Sequence, residues 1–266
     1  MGNVFEGRGT IRRNEQVGPG LFLMEVGEAS MARAITPGQF VHVGLPGMEG
    51  HILRRPFSVY SACGDSGTID ILYQAVGFGT RHMAGLGPGA AVSLLGPLGR
   101  AWHPPEDTRC ALLVGGGVGA APLFLLAAEL VRCGSAVDVV LGAQTADALV
   151  CRGRYEALLA GAPAKSSLRC ATDDGSFGHA GFCTPLVEER LAARSYDYAA
   201  VCGPEPMMRI VIGQMEGLPL ACEASLERRM ACGVGACLSC VVATDEGMRR
   251  ACVDGPVFDA RKVVFA

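Results

Sequence analysis

The chain has 266 residues, enough for two domains at ~150 residues each, and it is 50% hydrophobic against 18% charged, which leaves little room for disorder. Its 23 Lys and Arg stand against 26 Asp and Glu, and the net charge of −3 offers no general attraction to nucleic acid or anionic lipid, disfavouring a nucleic-acid-binding role. The 12 cysteines are uneven, five in the last 45 residues and seven in the preceding 221, so thiols serve a local purpose near the C-terminus.

Met1-Gly2-Asn3-Val4-Phe5-Glu6 lacks the apolar run of a signal peptide, and Glu6 spoils a myristoylation match. A cytoplasmic chain with reduced or metal-bound thiols is expected. The first hundred residues alternate short apolar runs, such as 40–43 and 67–73, with Gly/Pro turns at 36–38 and 85–89, the pattern of a small antiparallel β-barrel or sandwich. The pattern changes at Trp102-His103-Pro104-Pro105, which places a first domain at 1–103. Strand-like runs at 110–114, 136–141, 168–172 and 198–202 then alternate with helical stretches at 123–132, 154–159, 184–193 and 206–215, as in a parallel α/β domain over 104–217. The uncharged stretch 110–128 approaches the ~20 residues of a membrane span. Gly115, Gly116, Gly117, Gly119 and Pro122 would interrupt such a helix and instead suit a buried strand, a glycine turn and a helix. The last segment, 218–266, is rich in Cys, Gly and charge and too short to hold a large core, so it calls for a staple.

Four motifs carry chemistry. Arg55-Pro56-Phe57-Ser58, followed by Val76-Gly77-Phe78-Gly79-Thr80-Arg81, combines a cation for a pyrophosphate, an aromatic ring, a hydroxyl and a turn rich in N–H groups, the parts of a flavin nucleotide site. Taken without the rest of the chain, Arg55 and Phe57 read as a surface cation beside a core aromatic. Gly115-Gly116-Gly117-Val118-Gly119-Ala120-Ala121-Pro122, between a predicted strand and helix, lets a phosphate approach the backbone, with Gly117 and Gly119 foremost; Pro122 suits a first helical turn. The second strand ends in Gly142-Ala143-Gln144, without the acid that ordinarily contacts a ribose. Cys202-Gly203-Pro204 ends the last predicted strand, where a nicotinamide would lie, although a helix-capping turn accounts for it as well. Finally Cys232, Cys237, Cys240 and Cys252 give C-x4-C-x2-C-x11-C, the plant-type ligand pattern of a [2Fe-2S] cluster, with a four-thiolate zinc site as the alternative. Arg228-Arg229 before it reads either as a partner to cluster charge or as a solvated pair. Cys222, Cys63, Cys110, Cys133, Cys151, Cys170 and Cys183 read as buried apolar thiols, and none of the five histidines is given a catalytic role.

Taken in order, Arg-Pro-Phe-Ser, Gly-x-Gly-Thr, Gly-x-Gly-x-x-Pro, Cys-Gly-Pro and the cysteine pattern closing with Asp254-Gly255-Pro256-Val257-Phe258 resemble the electron-transfer subunits of dihydroorotate dehydrogenase B over essentially the whole chain. The resemblance implies a ferredoxin-reductase-like subunit with an FAD-binding β-barrel, an NAD-binding α/β domain and a small [2Fe-2S] domain. By the family pattern Arg55, Pro56, Phe57, Ser58, Leu72, Tyr73, Gln74, Gly79 and Thr80 would contact FAD, and Cys232, Cys237, Cys240 and Cys252 would ligate the cluster. It further implies an FMN-containing catalytic subunit as partner, in a heterotetramer of two plus two, with electrons passing through cluster and FAD to NAD+ in pyrimidine biosynthesis. A related flavin/[2Fe-2S] NAD(P)H reductase subunit in ferredoxin- or hydrogenase-linked electron transfer shares this domain order. A cluster at the plant-type value of about −400 mV would be low for a relay toward NAD+, so a raised potential is expected.

Overall fold

The computed structural model describes residues 4–48, 50–163 and 165–265, so Met1, Gly2 and Asn3 of the N-terminal segment read above lie outside the described residues. Strands β1 (Phe5–Gly18), β2 (Leu21–Gly27), β3 (Phe40–Gly44), β4 (Arg55–Ser58), β5 (Ser61–Cys63), β6 (Thr68–Gln74) and β7 (Ala91–Leu98) form one sheet in the order β4-β3-β7-β1-β2-β6-β5. Every pairing in it is antiparallel. Alternation along the strands sends Ile11, Met24, Val41, Ile69, Ile71 and Leu94 into one core. The sheet curls until the Phe57 and Tyr73 rings of β4 and β6 meet at 5.8 Å between centroids. Helices α1 (Ala29–Ala34) and α2 (Phe78–Ala84) close its ends.

The second sheet is built from β8 (Cys110–Gly116), β9 (Ala136–Ala143), β10 (Ser167–Thr172), β11 (His179–Ala180), β12 (Tyr198–Cys202) and β13 (Ala221–Ser225). Its order is β11-β10-β9-β8-β12-β13-β16, with β16 formed by Val257–Asp259, and it is parallel except at this last strand. Helices α3 (Phe124–Arg132), α4 (Arg152–Ala160), α5 (Thr184–Ala193) and α6 (Glu205–Gln214) lie on its faces. They match the sequence reading within a few residues, because β8 and β12 are continuous apolar runs sealed on both sides and β9 departs from that only at the buried Asp138. One detail differs: Pro122 does not open a helix. Gly117–Ala120 form a 3₁₀ turn, α3 begins at Phe124, and the Pro122 carbonyl accepts from Trp102 Nε1 at 3.1 Å.

Beyond residue 217 the hairpin β14 (Val241–Thr244) and β15 (Gly247–Arg250) carries the cysteine-rich part. Both β13 and the short antiparallel β16 (Val257–Asp259) belong to the parallel sheet, so this segment is rooted in the nucleotide-binding fold. The barrel is tied in by Arg154, whose guanidinium meets Asp70 at 2.7 Å and Ser61 at 3.1 Å and lies over the Tyr60 ring. Arg100 N–H also donates to the Gly255 carbonyl at 2.6 Å. Among the described residues no helix is long and apolar enough to cross a membrane.

Candidate functional site

Two clefts meet where the barrel, the parallel sheet and the C-terminal segment converge. The first, of about 270 Å³, is lined by Pro56, Phe57 and Ser58 of β4, by Leu72, Tyr73 and Gln74 of β6, and by Thr80. Arg55 and Gly79 stand beside it and against each other, since a Cβ on Gly79 would lie 2.4 Å from Arg55 Nε. A bare glycine there lets the guanidinium sit over the start of α2, where Thr80 Oγ1 accepts from Gly77 N–H at 3.0 Å. The Tyr73 ring is buried in the barrel and donates its hydroxyl to Asn14 at 2.9 Å, so it supports the wall from behind. A cation, an apolar wall and a hydroxyl-bearing turn in one groove suit a flavin nucleotide.

The second cleft, of about 510 Å³, lies at the C-terminal edge of the parallel strands, between the ends of β8 and β12 where the strand order reverses. Gly117, Gly119 and Gly203 line it. Gly203 adopts φ +155, and a Cβ on Gly119 would stand 2.6 Å from the Cys202 carbonyl oxygen, so the two turns touch through their backbones. Cys202 itself is not brought to the cleft: its thiol is buried, and burial holds its pKa well above the ordinary thiol value. A hollow of about 270 Å³ continues this cleft past Ala143 and Gln144, walled by Phe182, Met207 and Ile210. Asp173 is its one charged lining residue among the described residues. It follows β10, one strand beyond the position where the sequence reading looked for an acid, and its signal was the Asp173-Asp174-Gly175 run directly after a predicted strand.

Gln74, Val118, Glu227 and Arg228 line both clefts, which therefore form one continuous trough. Glu227, which opens the Glu-Arg-Arg run before the cysteine motif, is exposed to the trough, and the protein crowded around it raises its pKa above the usual carboxylate value. Arg228 reaches across to Glu205 at 3.3 Å.

The cluster motif begins two residues beyond Met230, which also lines the first cleft. Gly233 and Gly235, at φ +71 and +82, bend the loop, and Arg250 braces it by donating to the Gly235 carbonyl at 3.4 Å while pairing with Asp254 at 2.9 Å. Cys237 N–H donates to Cys232 Sγ at 3.4 Å, and Cys240 and Cys252 are buried in the same core. Ser239 and neighbouring amides pull Cys237 down to about 6, whereas burial and then Cys240 push Cys252 up to about 12. Among the described residues no three His, Cys, Asp or Glu side chains converge on a single ion. Four thiols on and beside an N–H-rich loop fit a dinuclear cluster.

Of the remaining cysteines, Cys110, Cys151, Cys170, Cys183 and Cys222 are buried as expected, but Cys63 and Cys133 are exposed. Cys63 ends the edge strand β5, and Cys133 caps α3 just before the left-handed Gly134, so both thiols stand exposed where an element ends.

Three family models match consecutive parts of the chain: an oxidoreductase FAD-binding domain at 13–103, an oxidoreductase NAD-binding domain at 113–212, and the iron-sulfur cluster binding domain of dihydroorotate dehydrogenase B at 227–264. The dihydroorotate dehydrogenase B (NAD(+)) electron transfer subunit of Desulforamulus reducens is 35% identical, with 100% of each chain covered. That of Geobacillus kaustophilus is 40% identical over 86% of this chain and 87% of its own. Among solved structures, one of the NADH-dependent reduced ferredoxin-NADP oxidoreductase has a TM-score of 0.85 at 27% identity, covering 96% of this chain and 89% of its own. The cytochrome b5 reductase domain of Ulva prolifera nitrate reductase shares the fold, with a TM-score of 0.66 at 16% identity and coverage of 82% and 97%.

Proposed function

Because the chain belongs to the family of dihydroorotate dehydrogenase B electron transfer subunits, we propose that it carries electrons from a dihydroorotate-oxidising, FMN-containing catalytic subunit to NAD+ in pyrimidine biosynthesis. When bound, the [2Fe-2S] cluster and FAD supply the redox chemistry, single electrons at the cluster and hydride exchange with the nicotinamide at the flavin. The protein's work is placement, which requires no acid, base or nucleophile. The observation that carries the reading is the trough shared at Gln74, Val118, Glu227 and Arg228, which sets a flavin cleft and a dinucleotide cleft side by side.

In this reading flavin belongs to 1–103, the dinucleotide to 104–217 and the cluster to 218–266, with β13 and β16 anchoring the last part in the parallel sheet. Arg55 and the Gly77–Thr80 turn hold the flavin pyrophosphate, and Pro56, Phe57, Ser58, Leu72 and Gln74 wall the rest. The Gly117 and Gly119 backbone receives the dinucleotide pyrophosphate, and Asp173 favours the free ribose hydroxyls of NAD(H) over a 2′-phosphate, which its carboxylate would repel. Cys237, Leu238 and Val234 are exposed around the cluster loop, which makes that loop the natural face for the catalytic subunit in a two-plus-two cytoplasmic assembly.

The test is anaerobic purification with the native partner, addition of dihydroorotate, and recording of the flavin and cluster absorbance. Bleaching is the expected result. If NADH bleaches the sample and dihydroorotate does not, the assignment moves to a ferredoxin-linked reductase subunit, the reading favoured by the TM-score of 0.85 to the ferredoxin-NADP oxidoreductase.

A further inference from the structure

Strand β3 sends Val41 and Val43 into the barrel core and turns Phe40 and His42 outward. Phe40 joins the cluster of buried residues that contains Cys240 and Cys252. His42, on the same face, is fully buried at 0% exposure, and neither ring nitrogen has a hydrogen-bond partner among the described residues. An imidazole in any protonation state carries at least one N–H, and buried donors are ordinarily paired. The ring lies against Gly233, the residue after Cys232: a Cβ there would stand 2.8 Å from Cε1, 2.9 Å from Nδ1 and 3.1 Å from Nε2. At φ +71 this position already demands glycine, and the missing side chain is what lets the imidazole reach the inner wall of the cluster loop.

A [2Fe-2S] cluster presents bridging sulfides and thiolates, all hydrogen-bond acceptors, and gains negative charge when reduced. We propose that His42 donates its ring N–H to a sulfur of the bound cluster and thereby raises the cluster's reduction potential. A donor on sulfur stabilises the more negative reduced state, and such bonds are among the features that set cluster potentials. His42 is then a positioning and tuning residue that never meets substrate. The inference rests on the four cysteines holding the cluster and is independent of which donor reduces it.

The experiment compares wild type, His42→Phe, which keeps a ring without a donor, and His42→Gln, which keeps an N–H. Each is taken as the full chain with its partner, with iron and sulfide measured, and titrated with dithionite while EPR follows the reduced cluster. The expected result is a loaded His42→Phe protein whose oxidised-to-reduced ratio at fixed potential rises at least tenfold, equivalent to about 59 mV downward for one electron, with His42→Gln returning toward wild type. A fully loaded His42→Phe protein at the wild-type potential overturns the proposal, as does an equal fall in both variants, which would mean packing alone. Should the variants fail to load, wild type grown with nitrogen-15 histidine gives the same decision by pulsed EPR of the reduced cluster. A histidine nitrogen coupling supports the bond, and its absence refutes it.

Discussion

Replacing Gly119 by alanine separates dinucleotide binding from the rest of the molecule. The new Cβ would stand 2.6 Å from the Cys202 carbonyl oxygen and 2.7 Å from both the Cys202 carbonyl carbon and Gly203 Cα. All three are backbone atoms at the end of β12, so no side chain can swing aside. An ordinary contact begins at 3.4 Å, and the ends of β8 and β12 must therefore part by at least 0.8 Å. Overpacking of this kind costs about 1–3 kcal/mol. Because the strained atoms frame the second cleft, the cost falls on the nucleotide, which at 1.4 kcal/mol per decade weakens NADH binding roughly 5- to 150-fold. The assay is flavin reduction against NADH concentration under anaerobic conditions, with flavin, iron and sulfide content determined on the same sample. An unchanged dependence on NADH would refute the argument that this backbone contact shapes the dinucleotide cleft. Loss of flavin as well would show that strain spreads beyond it.

Asp173→Ser should raise the kcat/KM ratio of NADPH to NADH about tenfold, as removing a like charge from the ribose pocket is worth on the order of 1–2 kcal/mol; equal ratios in both proteins would place the ribose elsewhere. Arg154→Ala leaves the buried Asp70 with only Ser61, at 2.6 Å, and should cost about 1–3 kcal/mol, seen as a lower unfolding midpoint in calorimetry. Cys240→Ser should abolish the cluster EPR signal while NADH still reduces bound FAD, so that failure of both would tie the flavin site to an intact cluster. Glu227 has a folded-state pKa raised by desolvation, so its ionised form disfavours the folded chain above that pKa, and the penalty fades as pH falls to the unfolded value. Glu227→Gln should accordingly unfold at a higher temperature than wild type at pH 7, with the gap closing toward pH 4; a gap constant with pH would remove the carboxylate as its cause.

The alternation of strands and helices from Cys110 to Cys202 was legible because burial on both faces of a parallel sheet writes itself as uninterrupted apolar runs. The role of β16 was not: three residues, Val257–Asp259, carry no period, and only pairing with β13 makes them a strand. The cysteine motif could be read because its spacing is local, whereas Asp173 has only the turn run after β10 as a local signal and is brought to the hollow by the sheet order, which sets β10 two strands from β8 and its glycine turn. His42 carries no local signal of its surroundings. Val-His-Val alternates as a half-solvated strand does, and nothing near it in sequence signals that a loop 190 residues later covers the ring.

That covering loop shows how the three parts are joined. Residues 221–225 are hydrogen-bonded to β12 throughout, Leu226 N–H donates to the Pro256 carbonyl at 2.9 Å, and Glu227 and Arg228 then line both clefts. Met230 returns to the first cleft, and Cys232 follows as the first thiol of the cysteine motif. One short stretch of chain thus links both clefts to that motif. A hinge that moved the cluster away from the trough would have to break the β12–β13 ladder or the Leu226–Pro256 bond.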